Sequence, residues 1–312
     1  MFSSQKRRIK SRIINSNLIS ILIPTYNYNV FPLVEKLYNE ISKDVISYEI
    51  LVCEDASPRP SPENENIEKF ENVNYLISEN NLGRSGVRLL LANKARYDNL
   101  LFLDADVMPK SDNFISSYLK EIGSDVVFGG ITYEEHPPPD DKMLRWKYGR
   151  ERETVSVAER IKQPYLTINS GCFMIKRNLF LRVSEKLQLN KYGLDNYFKE
   201  LLRKENASVH HIENPADHLG LENNEKFLQK ALEAIDTTVY LEKENRLGDN
   251  VRPIQKNYLR LKRMWLTGLF SSFISVFAKR MERNFISANP NLFWFDLYRL
   301  RYYIHLKNKK NA

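Results

Sequence analysis

Cysteine is nearly missing from this sequence: its 312 residues contain only Cys53 and Cys172. Two cysteines in a chain of this length make no disulfide framework and show no metal-site spacing. Cys53 sits inside an apolar run and reads as a small core residue. No apolar run reaches the roughly 18 residues that a membrane-spanning helix needs. The basic start leads into only a short apolar run, better read as a strand than as a signal peptide, so a reducing, cytoplasmic compartment is expected. There is no internal repeat and no low-complexity tract. Acidic residues are scarce at both ends. Residues 1–20 carry Lys6, Arg7, Arg8, Lys10 and Arg12 and no acid, and residues 251–312 carry 13 basic and two acidic residues. With a net charge of +8 overall, and +5 and +11 at the two ends, residues 21–250 are net −8. An acidic body with basic ends excludes the broad basic footprint of a nucleic-acid binder. It suits a protein held against an anionic membrane surface.

What is present is an alternation of short apolar runs and helical patterns. Leu18–Pro24 reads as a strand broken at Pro24, and Val30–Ile41 as a helix with Val30, Leu33, Val34, Leu37 and Ile41 on one face. Tyr48–Cys53 and Val73–Ile77 are further strands, with Pro58, Pro60 and Pro62 marking a rigid loop between them. A helix from the Asn80–Gly86 loop to about Ala95 leads into the strand at Asn99–Leu103. Beyond it come a helix over Phe114–Ile122, strands at Asp125–Ile131 and Ile168–Ile175, a helix from Tyr192 to Arg203 and a strand at Ala207–Ile212. Asn214–Gly220 reads as a loop containing His218, with a helix following from about Asn224, and Glu134–Asp141, with three prolines, as a lid-like loop. Strand and helix in alternation with short connections predict an α/β fold: a mostly parallel, Rossmann-like sheet flanked by helices. The polar clusters fall at the carboxyl ends of the strands, which is the ligand edge of such a sheet.

Asn99-Leu-Leu-Phe-Leu-Asp104-Ala-Asp106-Val-Met-Pro109 is the most informative stretch. Four apolar residues make a strand buried on both faces, and Pro109 is expected to end ladder pairing. Two carboxylates one residue apart at that strand end offer hard oxygen ligands to Mg2+ or Mn2+, with a nucleotide diphosphate completing the shell. An isolated Asp-x-Asp is more often a solvated turn; its place at the end of a buried strand favours the metal reading.

Six landmarks in order then resemble a family 2 glycosyltransferase of the GT-A fold: Ile23-Pro-Thr-Tyr-Asn27, Val52-Cys-Glu-Asp55-Ala-Ser57, Asn81-x-Gly83 with Arg84 and Arg88, Leu103-Asp-Ala-Asp106, Asn169-Ser-Gly-Cys-Phe173 and Gly193-Leu-Asp195. They cover roughly residues 18 to 220. The resemblance implies a nucleotide-sugar donor, a UDP-sugar in the first instance, a divalent cation (Mn2+ or Mg2+) and an inverting transfer to a hydroxyl acceptor. It implies a donor site made of Pro24, Tyr26, Glu54, Asp55, Arg84, Arg88, Asp104, Ala105, Asn169, Ser170 and Gly171. In it Tyr26 stacks on the base, and Asp55 or Glu54 accepts the base's ring N–H. Arg84 and Arg88, four apart on one helix face, bring a guanidinium to the donor phosphates or base. Asp104 and Asp106 reach ribose and metal, and His218 completes the metal shell. Asp195 is the implied general base. It also stands where the dipole of a helix N-terminus favours a carboxylate. Leu194 occupies the position where the family pattern has another acid.

The domains expected are a basic N-terminal extension (1–17), a GT-A catalytic domain (18–245) and a helical, basic-aromatic C-terminal extension (246–312). In the extension Tyr258, Leu261, Met264, Trp265, Leu269, Phe273 and Phe277 are spaced to line one helical side between basic residues. That side reads as an interfacial anchor or as a stripe packed on the catalytic domain or a second subunit. The combined expectation is a peripheral enzyme on the inner face of the plasma membrane, using a glycan or lipid-linked acceptor and no nucleic acid. A catalytically idle nucleotide-sugar-binding or scaffolding module is the alternative, with Leu194 in its favour. A nucleotidyltransferase is disfavoured, because Pro24-Thr-Tyr-Asn27 is not a glycine-rich phosphate loop.

Overall fold

The structure, a computed structural model, describes residues 18–42, 47–187, 189 and 191–309. The expected N-terminal extension lies outside the described residues. The chain divides into two compact units: Met1–Thr132, Thr154–Asn190 and Leu201–Gly220 form the first, and Tyr133–Glu153, Lys191–Glu200 and Leu221–Ala312 the second.

The first unit is the predicted α/β sheet. In chain order it runs β1 (Leu18–Thr25), α1 (Phe31–Ile41), β2 (Ser47–Glu54), β3 (Val73–Ile77), α2 (Gly83–Lys94), β4 (Asn99–Leu103), β5 (Val107–Pro109), α3 (Phe114–Leu119), β6 (Val126–Phe128), β7 (Ile131–Thr132), β8 (Cys172–Lys176), α4 (Arg177–Glu185), β9 (Val209–His211) and β10 (Ala216–His218). Seven strands form one sheet in the order β3-β2-β1-β4-β8-β6-β9. Its pairs are parallel except where β8 runs antiparallel between β4 and β6. β4 is buried at every residue, as its unbroken apolar run predicts. α1 turns Leu33, Val34, Leu37 and Ile41 inward, the face read from their spacing.

Four strand expectations are corrected. Pro24 does not break β1, which continues to Thr25. β2 stays in register with it (Pro24↔Cys53), while β4 pairs only with Ser20–Leu22, so the missing N–H falls where that ladder has already ended. Pro109 does not end pairing either: it closes β5, an edge strand of a second, three-stranded sheet ordered β5-β10-β7. The apolar run at Asp125–Ile131 is two strands in two sheets, divided at Gly129 and Gly130, the latter with φ of 108°. A side chain at Gly129 would stand 2.2 Å from the Asn214 carbonyl oxygen, so only glycine fits there. The switch frees backbone carbonyls, and the buried Arg160 guanidinium donates to those of Phe128, Gly129 and Ile212 at 3.1, 3.3 and 2.9 Å. Finally, His218 lies on a strand, β10, rather than in a loop.

The second unit is helical. It contains the start of α5 (Asp195–Lys204), then α6 (Asn224–Lys243), α7 (Pro253–Arg263), α8 (Thr267–Phe285) and α9 (Leu292–Asn308). Asn223 and Asn291 cap α6 and α9, their side-chain oxygens accepting from the Lys226 and Trp294 backbone N–H groups. One core joins Leu144, Phe227, Ile274, Met281, Phe285 and Phe295; another joins Ile235, Val239, Tyr258, Leu300, Tyr303 and Ile304. The expected single apolar side from Tyr258 to Phe277 is corrected here. The helix stops after Arg263, and Trp265 turns the chain with φ of 59°. Tyr258 faces inward onto Tyr303, whereas Met264, Trp265, Leu269, Phe273 and Phe277 stand exposed. Other residues of α8, Ile274, Met281 and Phe285, supply its packed face. Among the described residues no helix is long and apolar enough to cross a membrane.

Candidate active site

The site of the first unit is built where β1, β2, β4 and the segment before β8 end. Asp104 follows β4, and its N–H donates 2.7 Å to the Gly171 carbonyl, which ties the Asp-x-Asp turn to Asn169-Ser-Gly171. Its carboxylate is held by both predicted arginines, Oδ2 by Arg84 at 2.6 Å and Oδ1 by Arg88 at 2.5 Å. The same arginines donate to Ser170, Arg84 to the hydroxyl at 3.1 Å and Arg88 to the carbonyl at 2.5 Å. Gly171 donates to the Asn169 side chain at 2.8 Å, and a Cβ on Gly171 would stand 3.1 Å from that oxygen and 3.5 Å from Asp104 Oδ2. Spacing of four on α2 places both guanidiniums on one face, and the sheet brings Asp104 and Ser170 to meet them. Arg88 is buried and Arg84 more open, so of the two Arg84 is the one able to reach a ligand's oxyanions.

Asp106 has different neighbours. Antiparallel pairing of β10 with β5 sets His218 opposite Val107 and brings its Nε2 to 3.6 Å from Asp106 Oδ2. Burial pushes the Asp106 carboxyl above its usual range, with Asp104 adding to the rise while His218 and Arg84 oppose it. A side chain at Gly220 would come within 1.9 Å of Asp106 Oδ2, so glycine is what leaves the carboxylate its place. Tyr28 also lies in the field of Asp106, its phenol held up by burial first and by that carboxylate second. Sequence reasoning missed Tyr28; the only signal was a second aromatic two residues after Tyr26. It also missed β10, whose Ala-Asp-His is too short and too polar to read as a strand. Among the described residues no group of three or more His, Cys, Asp or Glu gathers as a metal centre. Of the three residues expected at the cation, Asp106 and His218 stand 3.6 Å apart, and Asp104 is ion-paired to Arg84 and Arg88. A carboxylate and an imidazole fit a divalent cation that takes its remaining ligands from diphosphate oxygens and water.

Glu54 and Asp55 are both buried and both engaged. Asp55 accepts from the Leu82 and Gly83 backbone N–H groups at 2.7 and 2.9 Å, capping the N-terminus of α2, where Leu82 offers no cap of its own. Glu54 accepts from Ser57 and, at 3.2 Å, from Tyr75, whose phenol burial and Glu54 together push up to about 12. Asp55 thus holds the start of the helix that carries Arg84 and Arg88, while Glu54 ties the end of β2 to Ser57 and to β3. Tyr26 is 51% exposed at the same edge, a free aromatic face for stacking. Pro24 is the next-to-last residue of β1, and Ala105 lies in the turn between the two aspartates.

Asp195 belongs to the second unit, at the first position of α5. Gly193, with φ of 84°, lets the chain pass α6 closely: a Cβ there would be 2.7 Å from Ala234. Leu194 is buried and its carbonyl accepts from Tyr197 and Phe198, so this substitution for an acid is a packed residue. One turn on, burial pushes the Lys199 ammonium down while the Asp195 carboxylate opposes that shift.

With this geometry in view, residues 20–183 match Glycosyl transferase family 2, and the chain belongs to that family. Solved structures agree on the fold. A mannosyltransferase from Pyrobaculum calidifontis, determined with GDP-Man and Mn2+, is similar over 94% of this chain and 86% of its own, at TM-score 0.55 and 15% identity. Mannosyl-3-phosphoglycerate synthase from Rubrobacter xylanophilus is similar over 79% and 80%, at TM-score 0.52 and 16% identity. Against TarS of S. aureus the chain spans only 39% of that protein's length, with 71% of this chain covered, TM-score 0.43 and 18% identity. No curated protein matches the chain in sequence. The fold is thus the GT-A fold of the family 2 glycosyltransferases.

Proposed function

We propose that this protein is a metal-dependent, inverting glycosyltransferase that moves a sugar from a nucleotide-diphosphate sugar, a UDP-sugar in the first instance, to a hydroxyl acceptor. The observation that carries the reading is the strand-end cluster in which Arg84 and Arg88 clamp Asp104 while Asp106 and His218 stand together 3.6 Å apart. Asp106 and His218 are the residues that would hold the cation. Bound there, the cation supplies charge to stabilise a departing diphosphate. Arg84 faces the donor's phosphates or base, and Tyr26 stacks on the base. In the transfer the acceptor oxygen bonds to the anomeric carbon from the face opposite the diphosphate. The carbon–oxygen bond to the diphosphate breaks, its electron pair leaves with the nucleotide, and the acceptor proton passes to the Asp195 carboxylate. The basic character of residues 251–312 supports a peripheral location on the cytoplasmic face of the plasma membrane, where the product is a lipid-linked or cell-surface glycan.

The buried Leu194 favours a second reading, in which the chain binds a nucleotide sugar without transferring it. Thermal shift against UDP, GDP, dTDP and CMP, each with and without Mn2+, separates these possibilities from a chain with no donor site. Stabilisation by one diphosphate only with the cation is the expected result, abolished in Asp106→Ala. No shift with any nucleotide overturns the donor site. Asp195→Asn is expected to lower kcat by at least about 100-fold with little change in donor KM. An unchanged kcat removes Asp195 as the base, and no turnover by the wild type with any donor supports the binding-only reading.

A further inference from the structure

The outer face of α8 is the least explained surface of the molecule. Leu269, Phe273 and Val276 recur at intervals of four and three residues and are 70%, 62% and 79% exposed. The same stripe continues at the same intervals into Arg280 and Arg283, so one helix face is apolar in its first half and basic in its last turns. The opposite face, Ile274, Met281 and Phe285, is buried in the core with Phe227 and Phe295, so α8 cannot roll to hide the stripe. At the corner before α8 stands Trp265, 91% exposed and with φ of 59°. That left-handed position closes the α7 helix end, a place where glycine is the ordinary residue and a bulky side chain is strained. Arg260, Lys262 and Arg263 flank it on the preceding turn. A strained, fully exposed tryptophan among cations, followed by an apolar-to-basic stripe, has no rationale in the packing of the unit.

We infer that the α7–α8 corner and the outer face of α8 form an interfacial anchor for an anionic phospholipid bilayer. It enters at a slant: Trp265, Leu269 and Phe273 dip past the headgroups, and Arg280 and Arg283 stay at the level of the lipid phosphates. The aromatic ring of tryptophan suits that interface, and the guanidiniums supply charge complementarity that a second copy of the same basic face does not. No spanning segment is needed. This deepens the peripheral location proposed above and rests on it.

The test is flotation of the full chain with vesicles of pure phosphatidylcholine or of phosphatidylcholine containing about one-third phosphatidylglycerol. Binding to the anionic vesicles only is expected. The paired substitution Leu269→Ser with Phe273→Ser is expected to weaken partitioning at least about tenfold, because apolar area buried in the interface is lost. Its thermal midpoint should match the wild type, since both side chains are exposed, and this separates a lost anchor from a misfolded chain. Tryptophan emission should shift to the blue on binding, and Trp265→Phe should remove that shift although Trp146 and Trp294 remain. If the wild type floats with neither vesicle, the anchor and the peripheral location both fall. If wild type and paired variant float equally, the location stands and this face is overturned. A wild-type dimer that the paired variant loses, without vesicle binding, makes the face a self-association surface and overturns the anchor.

Discussion

Along the strand-end edge of the first unit, the carboxylates Glu54, Asp55 and Asp104 are each held by two donors, whereas along the outer face of α8 in the second, large apolar side chains stand in solvent. The first arrangement is costly to assemble, because charges leave water, and it persists only where partners are complete. Asp104 has two arginines, Asp55 two backbone N–H groups, and Glu54 two hydroxyls. The second arrangement forfeits burial that the rest of the helix obtains, so its justification lies outside the unit. The contrast separates residues that build the site from residues left free to meet something else. Asp55, read from the sequence as a base-binding carboxylate, also caps a helix. Trp265 and Phe273 looked like one apolar helix side and are bare.

The comparison breaks most visibly at Arg88. Arg88→Met removes a buried cation from Asp104 and from the Ser170 carbonyl, with Arg84 left as the only guanidinium on that carboxylate. A loss of about 3 kcal/mol is expected in urea unfolding, together with loss of metal-dependent nucleotide stabilisation. A change under about 0.5 kcal/mol would mean that the clamp contributes nothing to the fold. Gly220→Ala is the intermediate case. Its methyl group would overlap Asp106 Oδ2, and an overpacking cost of about 1–2 kcal/mol is expected, with a larger effect on cation-dependent nucleotide binding than on stability. Equal binding by both proteins would show that Asp106 can move aside freely. At the other extreme, Phe273→Ser is expected to leave the unfolding midpoint within about 0.5 kcal/mol, because the side chain is solvent-exposed in the fold. A substantial drop would show that the face is covered in solution.

The sheet was legible because β1, β2 and β4 are largely apolar runs whose burial on both faces is recorded directly in composition. Arg84 and Arg88 were legible as a pair because a helix repeats every 3.6 residues. The partners of each group were not. Asp104 and Asp106 are equivalent in sequence, one residue apart, and nothing local says that the first meets two arginines and the second a histidine more than 100 residues later. Short strands such as β5, β7 and β10 were also hidden, since two or three residues carry too little periodicity to be recognised.

From the chain alone came the α/β class, the ligand edge of the sheet, the order of the family's landmarks and the uneven charge, because each rests on local periodicity, residue chemistry or a count. The tertiary structure decided which carboxylate is clamped and which stands beside His218, that Asp55 holds a helix N-terminus, and which apolar residues of α8 pack and which remain exposed. These depend on β10 pairing with β5 and on the turn at Trp265, contacts and directions that exist only once distant segments have closed upon one another.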